Sequence, residues 1–185
     1  LASVSRNLFS VAGKTALITG GGSGIGGFMA QSLADEGATT LLVGRREEKL
    51  KEVLGARDGS IFVIDLSEAG ASQRLFKMVT DRGYQPDIIV NAAGINPRLH
   101  ADEIDEDMWN YTVHLNLNVP FLVAQKFVPA MQENRWGRII NIASMQSSRA
   151  FPNGISYGAA KGGVTQLTRA MAEAWSALGV TANAL

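Results

Sequence analysis

Gly20-Gly-Gly-Ser-Gly-Ile-Gly-Gly27 stands between a short apolar β-type run, Lys14–Thr19, and a stretch of helical spacing marked by Phe28, Met29, Leu33 and Ala34. Inside a helix or a strand, so dense a glycine tract would be destabilising, because glycine loses more conformational freedom on folding than any other residue. At a strand-to-helix turn the same property is useful. Glycine adopts backbone angles that other residues resist and lets the main chain approach a ligand closely. The helix start that follows offers unpaired N–H groups and a partial positive charge, which suits a pyrophosphate. Strand, glycine turn and helix in this order form the context that a dinucleotide site requires. A P-loop would end the tract in Gly-Lys-Ser/Thr, which is absent.

The rest of the chain alternates in the same way. Apolar β-type runs recur at Thr39–Val43, Ile61–Ile64, Asp87–Asn91, Arg138–Ile142 and Val180–Leu185, with longer helical patterns between them. This alternation predicts β-α-β units and a parallel sheet with helices on both faces, a doubly wound α/β (Rossmann) fold. Continuous apolar strands, rather than alternating ones, fit a sheet buried on both sides. Ligands of such sheets bind at the carboxyl ends of the strands, where the strand order reverses, so chemistry is expected just after each strand.

After the second strand come Gly44-Arg45-Arg46, with no carboxylate. An acidic residue there would hold the ribose hydroxyl of NAD, whereas guanidinium groups pair with the extra phosphate of NADP. NADP(H) is therefore the preferred cofactor, with NAD(H) possible; the alternative is two solvated arginines that pair with Glu47 or Glu48 on the helix Glu47–Leu54. The third strand is followed by Asp65-Leu66, and the fourth ends in Asn91-Ala92-Ala93-Gly94. Further on, Tyr157 and Lys161 lie four apart on an expected helix and so share one face. A phenol with the ordinary pKa of about 10 is a poor acid–base near neutrality. A nearby ammonium and an oxidised nicotinamide ring would favour the phenolate, and lowering such a pKa to about 7 takes roughly 4 kcal/mol.

Thr19-Gly20-x-x-x-Gly24-x-Gly26, Asn91-Ala-Ala-Gly94, Asn141-Ile-Ala-Ser144 and Tyr157-x-x-x-Lys161 occur here in an order and spacing that resembles the short-chain dehydrogenase/reductase family, over about residues 10–185. The resemblance implies an NAD(P)-dependent enzyme acting on CH–OH groups, close in pattern to 3-oxoacyl-carrier-protein reductases and to gluconate-type sugar dehydrogenases. It implies Gly20, Gly22, Ser23, Gly24, Ile25 and Gly26 at the phosphates, with Arg45, Arg46, Asp65, Leu66, Asn91, Ala92 and Gly94 along the adenosine side; the Asn91 motif also steadies the sheet, and Asp65 could equally open a turn or cap the next helix. It implies that Ser144 polarises the substrate carbonyl, that Tyr157 handles the proton, and that Lys161 binds the nicotinamide ribose. Asn116 would hold a water on the proton path, with Asn118 a less well-spaced competitor. It further implies a homodimer or homotetramer. One family signal for NADP is missing, since Ser23 stands where a basic residue often occurs. The pattern also stops within a sixth strand, so 1–185 is read as one dinucleotide-binding domain truncated in that strand, with activity doubtful if these residues are the entire molecule. Asn96, Arg98, Met145, Gln146, Arg149 and Phe151 are candidate substrate contacts; they do not separate a sugar acid from a 3-oxoacyl thioester.

Composition closes off other classes. The 17 basic and 17 acidic residues cancel, without the basic excess of a nucleic-acid binder. No apolar run reaches the roughly 18 residues of a membrane helix. The opening LASVSRNLFS lacks a signal-peptide pattern, and there is no cysteine, which favours a reducing, cytoplasmic setting. The acidic run Asp102–Asp107 reads as charge at a helix N-terminus rather than a metal site. His100 and His114 have no partner at ligand spacing, so no metal is expected. Val164, Leu167, Met171 and Ala174 read as core or subunit interface. A non-catalytic nucleotide sensor and a structural subunit on the same fold are the competing readings.

Overall fold

A computed structural model describes residues 10–185; the first nine residues, most of the segment read for a signal peptide, lie outside it. Six strands form one parallel sheet: β1 (Thr15–Thr19), β2 (Thr39–Gly44), β3 (Gly59–Val63), β4 (Ile88–Asn91), β5 (Gly137–Asn141) and β6 (Val180–Ala184). Their order is β3-β2-β1-β4-β5-β6. The chain winds outward from β1 to β3, returns to the middle at β4, and winds the other way. β1 and β4 pair in register from Ala16↔Ile88 to Thr19↔Asn91, and the topology reverses between them. The fold is the doubly wound α/β arrangement that the alternation predicts, with strand ends within two residues of the expected ones.

Helices α1 (Gly24–Asp35) and α2 (Glu47–Leu54) cover one face; α3 (Ala71–Thr80), α4 (Glu106–Val113), α5 (Val119–Glu133) and α6 (Ile155–Trp175) cover the other. The pleat sends successive side chains to opposite faces. Leu17 thus joins Leu41, Phe62, Ile89, Val123 and Met131 on the α3/α5 side, while Ala16 and Ile18 join Leu42, Leu50 and Val90 on the α1/α2 side. In α6, Val164 and Met171 are buried and Leu167 packs against the core cluster that holds Met171, while Ala174 is exposed, where only the interface half of its reading can apply.

Two local features depart from the expected pattern. Phe28, read as part of the apolar face of α1, is 72 % exposed. The fully buried residues of α1 are Gly26, Gly27 and Ala30, while Met29 and Leu33 pack against the core from partly buried positions. Between α4 and α5, His114–Asn118 form a π-helical turn, which carries Asn116 out of ordinary helical register. The acidic run does what a helix start needs: the Asp105 carboxylate accepts from the Met108 N–H at 2.8 Å, with Glu106 and Asp107 in the first turn of α4. Among the described residues no helix is long and apolar enough to cross a membrane, and no cluster of His, Asp or Glu could hold a metal.

Candidate active site

At the carboxyl ends of the strands, over the point where the order reverses, lies a cleft of ≈ 410 Å³. Its floor is the turn from β1 into α1. Thr19, at the end of β1, is 1 % exposed, and its hydroxyl oxygen accepts from the Ala92 and Ala93 N–H groups, both at 3.2 Å. That pair of bonds clamps the loop after β4 onto the loop after β1. Gly20 has φ +67, and a Cβ there would come within 2.8 Å of the Ala93 nitrogen. A Cβ on Gly26 would come within 2.5 Å of the Gly20 carbonyl oxygen. Only glycine lets the turn pack this closely against the loop after β4 and against itself. Gly20, Gly22, Ser23, Gly24, Ile25 and Gly26 all line the cleft, and the first turn of α1 carries no acidic side chain.

One end of the cleft is basic. Arg45 and Arg46 both line it. Neither pairs with Glu47 or Glu48, which instead meet Lys51. Arg45 Nη1 approaches Asp65 Oδ2 at 3.4 Å, and Arg46 Nη2 donates to Ser23 Oγ at 3.1 Å. Ser23 thus stands beside a guanidinium supplied by the next loop. Asp65 and Leu66 line the same end. Partial burial opposes the charge on Asp65, but the Ser67 hydroxyl and N–H and the Arg45 guanidinium outweigh it, so the carboxyl lies below its ordinary value.

The other end is built from α4–α5 and α6. Lys161 is 5 % exposed, and its ammonium donates to the Ile142 carbonyl at the end of β5. Its Nζ lies 5.6 Å from the centroid of the Tyr157 ring. Burial pushes the Lys161 pKa down to about 8. Asn116 is fully buried, and its side-chain N–H groups donate to the Thr112 and Ile95 carbonyls at 2.8 and 2.9 Å. Its Oδ1 has no partner. That oxygen faces Gly94, where a Cβ would collide with it. An unpaired buried acceptor is costly, so this oxygen is suited to a water or a ligand donor. Asn116, Tyr157, Lys161, Ala92 and Gly94 share the cleft wall. The competitor Asn118 is exposed and lies outside it.

Two expected site residues do not reach that wall. Asn91 is 3 % exposed, and its amide donates to Asn141 Oδ1 at 2.8 Å and to the Pro120 carbonyl at 3.2 Å. It ties β4 to β5 and α5 beneath the site. Ser144 lies two residues past the wall residue Ile142 in sequence and is half-buried. Its Oγ accepts from the Gln146 N–H at 3.1 Å, which leaves the hydroxyl hydrogen free to donate elsewhere.

Of the candidate substrate contacts, Gln146, Arg149 and Phe151 line a second groove of ≈ 620 Å³ together with His100. Met145 is 72 % exposed, and Asn96 turns back to accept from the Arg98 N–H at 3.2 Å. The clamp made by Thr19 and the wall positions Lys49, Ile95 and Leu115 carry no role in the sequence reading. Only Thr19 had a signal there, as the first residue of the glycine motif.

The sequence profile of the short chain dehydrogenase family matches residues 14–185. A 2-dehydro-3-deoxy-D-gluconate 5-dehydrogenase of Bacillus subtilis is 37% identical over 97% of this chain and 72% of its own length. A 3beta-hydroxysteroid dehydrogenase of Mediterraneibacter gnavus is 35% identical over 93% of this chain; the match spans 64% of that protein. Among solved structures, a gluconate 5-dehydrogenase from Burkholderia cenocepacia in complex with NADP and tartrate superposes with a TM-score of 0.86 at 35% identity. That superposition covers 94% of this chain and 70% of that one.

Proposed function

The chain belongs to the short chain dehydrogenase family, and from that premise we propose that it is an NADP(H)-dependent oxidoreductase of secondary alcohols and ketones. One observation carries the reading. A single cleft gathers the glycine cradle, Arg45 and Arg46, Asn116, and the Tyr157–Lys161 pair, from positions spread over most of the sequence.

The residues fit a dinucleotide. A Cβ at Gly20 or Gly26 would strike the main chain of Ala92–Ala93 or of Gly20 and force the turn out of shape, and the start of α1 has N–H groups and no competing carboxylate. Arg45 and Arg46 suit the 2′-phosphate at the far end. The bound nicotinamide supplies or accepts the hydride, and the remaining tasks fall to this chain. Tyr157 gives the substrate oxygen its proton in reduction and takes it in oxidation. Lys161, buried with its Nζ 5.6 Å from the centre of the phenol ring, is the cation that faces the Tyr157 side chain. The free hydrogen of Ser144 donates to the same substrate oxygen and holds it toward the phenol. The unpaired Oδ1 of Asn116 anchors a water that resupplies the proton. A homodimer or homotetramer is part of the same proposal.

The test is a titration with NADPH and then NADH, followed by the fluorescence of Trp109, Trp136 and Trp175, before a substrate panel. Tighter binding of NADPH than NADH is the expected result. Tighter NADH binding would refute the assignment to Arg45 and Arg46; no binding of either would refute the dinucleotide reading. The panel comprises D-gluconate, 2-dehydro-3-deoxy-D-gluconate, a 3β-hydroxysteroid and a 3-oxoacyl thioester. The relatives are named for sugar acids and a steroid, and a secondary alcohol or its ketone is what those substrates share.

A further inference from the structure

We propose that Gln146 and Ser147 are positioning residues that latch the Ser144 turn to α6 and so set the place of the Ser144 hydroxyl relative to Tyr157. The inference rests on the functional reading above. Twelve residues separate Ser144 from Tyr157. Of these, Ser148–Asn153 are exposed, and Asn153 sits in the left-handed region at φ 56. A surface loop of that kind cannot hold two reacting groups in register through its own backbone.

The register comes from cross-contacts. Met145–Ser147 form one 3₁₀ turn with Ser144 at its N-cap. From that turn, Ser147 Oγ donates to the Lys161 carbonyl at 2.8 Å. The Gln146 carboxamide lies on the bare surface left by Gly154 and Gly158 at the start of α6. A Cβ at Gly154 would collide with it, and one at Gly158 would stand 3.4 Å from its Oε1. On the other side of Ser144 in sequence, the Lys161 ammonium donates to the Ile142 carbonyl. Ser144 is thus bracketed on both sides by contacts to the helix that carries Tyr157 and Lys161. The Gln146 N–H that bonds Ser144 Oγ belongs to the same turn, so a shift of the turn moves the hydroxyl with it. Neither the Ser147 side chain nor the Gln146 carboxamide serves the cofactor cleft, whose wall contains neither residue.

The experiment compares wild type with Ser147→Ala, Ser147→Thr, Gln146→Ala and, as control, the exposed Ser148→Ala. Each is assayed for NADPH affinity, melting temperature, and turnover of the member of the substrate panel that the wild type converts fastest. A displacement of about 1 Å at a reacting group costs on the order of 100-fold in rate. Ser147→Ala and Gln146→Ala are expected to lose roughly 10- to 100-fold in kcat, with NADPH affinity and the substrate KM unchanged, whereas a direct substrate contact by Gln146 would raise KM. Ser147→Thr, which keeps the hydroxyl, recovers most of the loss, and Ser148→Ala keeps wild-type turnover. The latch is overturned if either alanine variant retains full kcat, if threonine restores nothing, or if NADPH affinity falls in step with turnover. A wild type that binds NADPH yet converts no panel member overturns the enzymatic reading and the latch together. Wild-type turnover that survives both alanine substitutions overturns the latch alone.

Discussion

Replacing Lys161 with methionine should stabilise the protein while abolishing the proposed chemistry. Lys161 is 5 % exposed, so solvent does little to screen its charge. Its pKa falls from the ordinary 10.5 to about 8 because burial disfavours the ammonium. At 1.36 kcal/mol per pH unit, that drop corresponds to roughly 3 kcal/mol of destabilisation at pH 7. Methionine keeps the length of the side chain and removes the charge, but it also removes the hydrogen bond to the Ile142 carbonyl, worth about 1 kcal/mol. The net gain at pH 7 is about 2 kcal/mol, or roughly 4–8 °C in melting temperature for a chain of this size. The dependence on pH is the sharper test. Between pH 8 and 10.5 the unfolded lysine keeps its proton and the folded one loses it, so wild-type stability rises with pH across that window. The advantage of Lys161→Met should be full below pH 8 and shrink as pH rises, reversing by about 1 kcal/mol above 10.5, where only the lost hydrogen bond remains. Thermal melts of both proteins from pH 6.5 to 10.5 measure it. A variant that melts below wild type at pH 7, or a gap that does not narrow above pH 8, would refute the reasoning.

Tyr157→Phe should lower kcat by about 10²- to 10⁴-fold, the usual worth of a positioned acid–base group, while NADPH titration shows unchanged affinity. Gly20→Ala places a methyl group against the Ala92–Ala93 backbone at a φ of +67; the left-handed conformation alone costs roughly 1–2 kcal/mol. Calorimetry should show a lower melting temperature, and NADPH binding should be lost. Arg46→Ala removes the guanidinium beside Ser23. A charge-assisted hydrogen bond is worth about 1.5–3 kcal/mol, so NADPH should bind roughly 10- to 150-fold more weakly with NADH little changed. Equal weakening of both nucleotides would place Arg46 away from the 2′-phosphate.

The strands were legible because a sheet covered on both faces demands unbroken apolar runs, and Leu17, Ile18, Leu41, Leu42, Ile89 and Val90 supply them without any tertiary information. The cradle was legible because Gly20 and Gly26 serve a backbone shape that nothing but glycine adopts or tolerates there, and such a requirement is written locally. Other features depend on neighbours distant in sequence. Phe28 looks like a core residue on periodicity alone, yet the fully buried positions of α1 are Gly26, Gly27 and Ala30, and no hydrophobicity pattern announces small residues there. The π turn at His114–Asn118 leaves one buried carboxamide oxygen of Asn116 unpaired, and no local propensity predicts that. Arg45 and Arg46 could as well have paired with adjacent glutamates; Asp65 and Ser23, each about one β-α unit away, took that role. Asn91 belongs to a motif read both as steadying the sheet and as lining the cofactor, and its amide serves the sheet. By itself, then, the sequence determined which segments become strands and where the chain must turn on glycine, since both follow from burial and backbone sterics within a few residues. Only the tertiary structure decided which polar groups face the cleft and which stabilise the frame, because a side chain's partner is set by what the winding of the sheet brings within hydrogen-bonding reach.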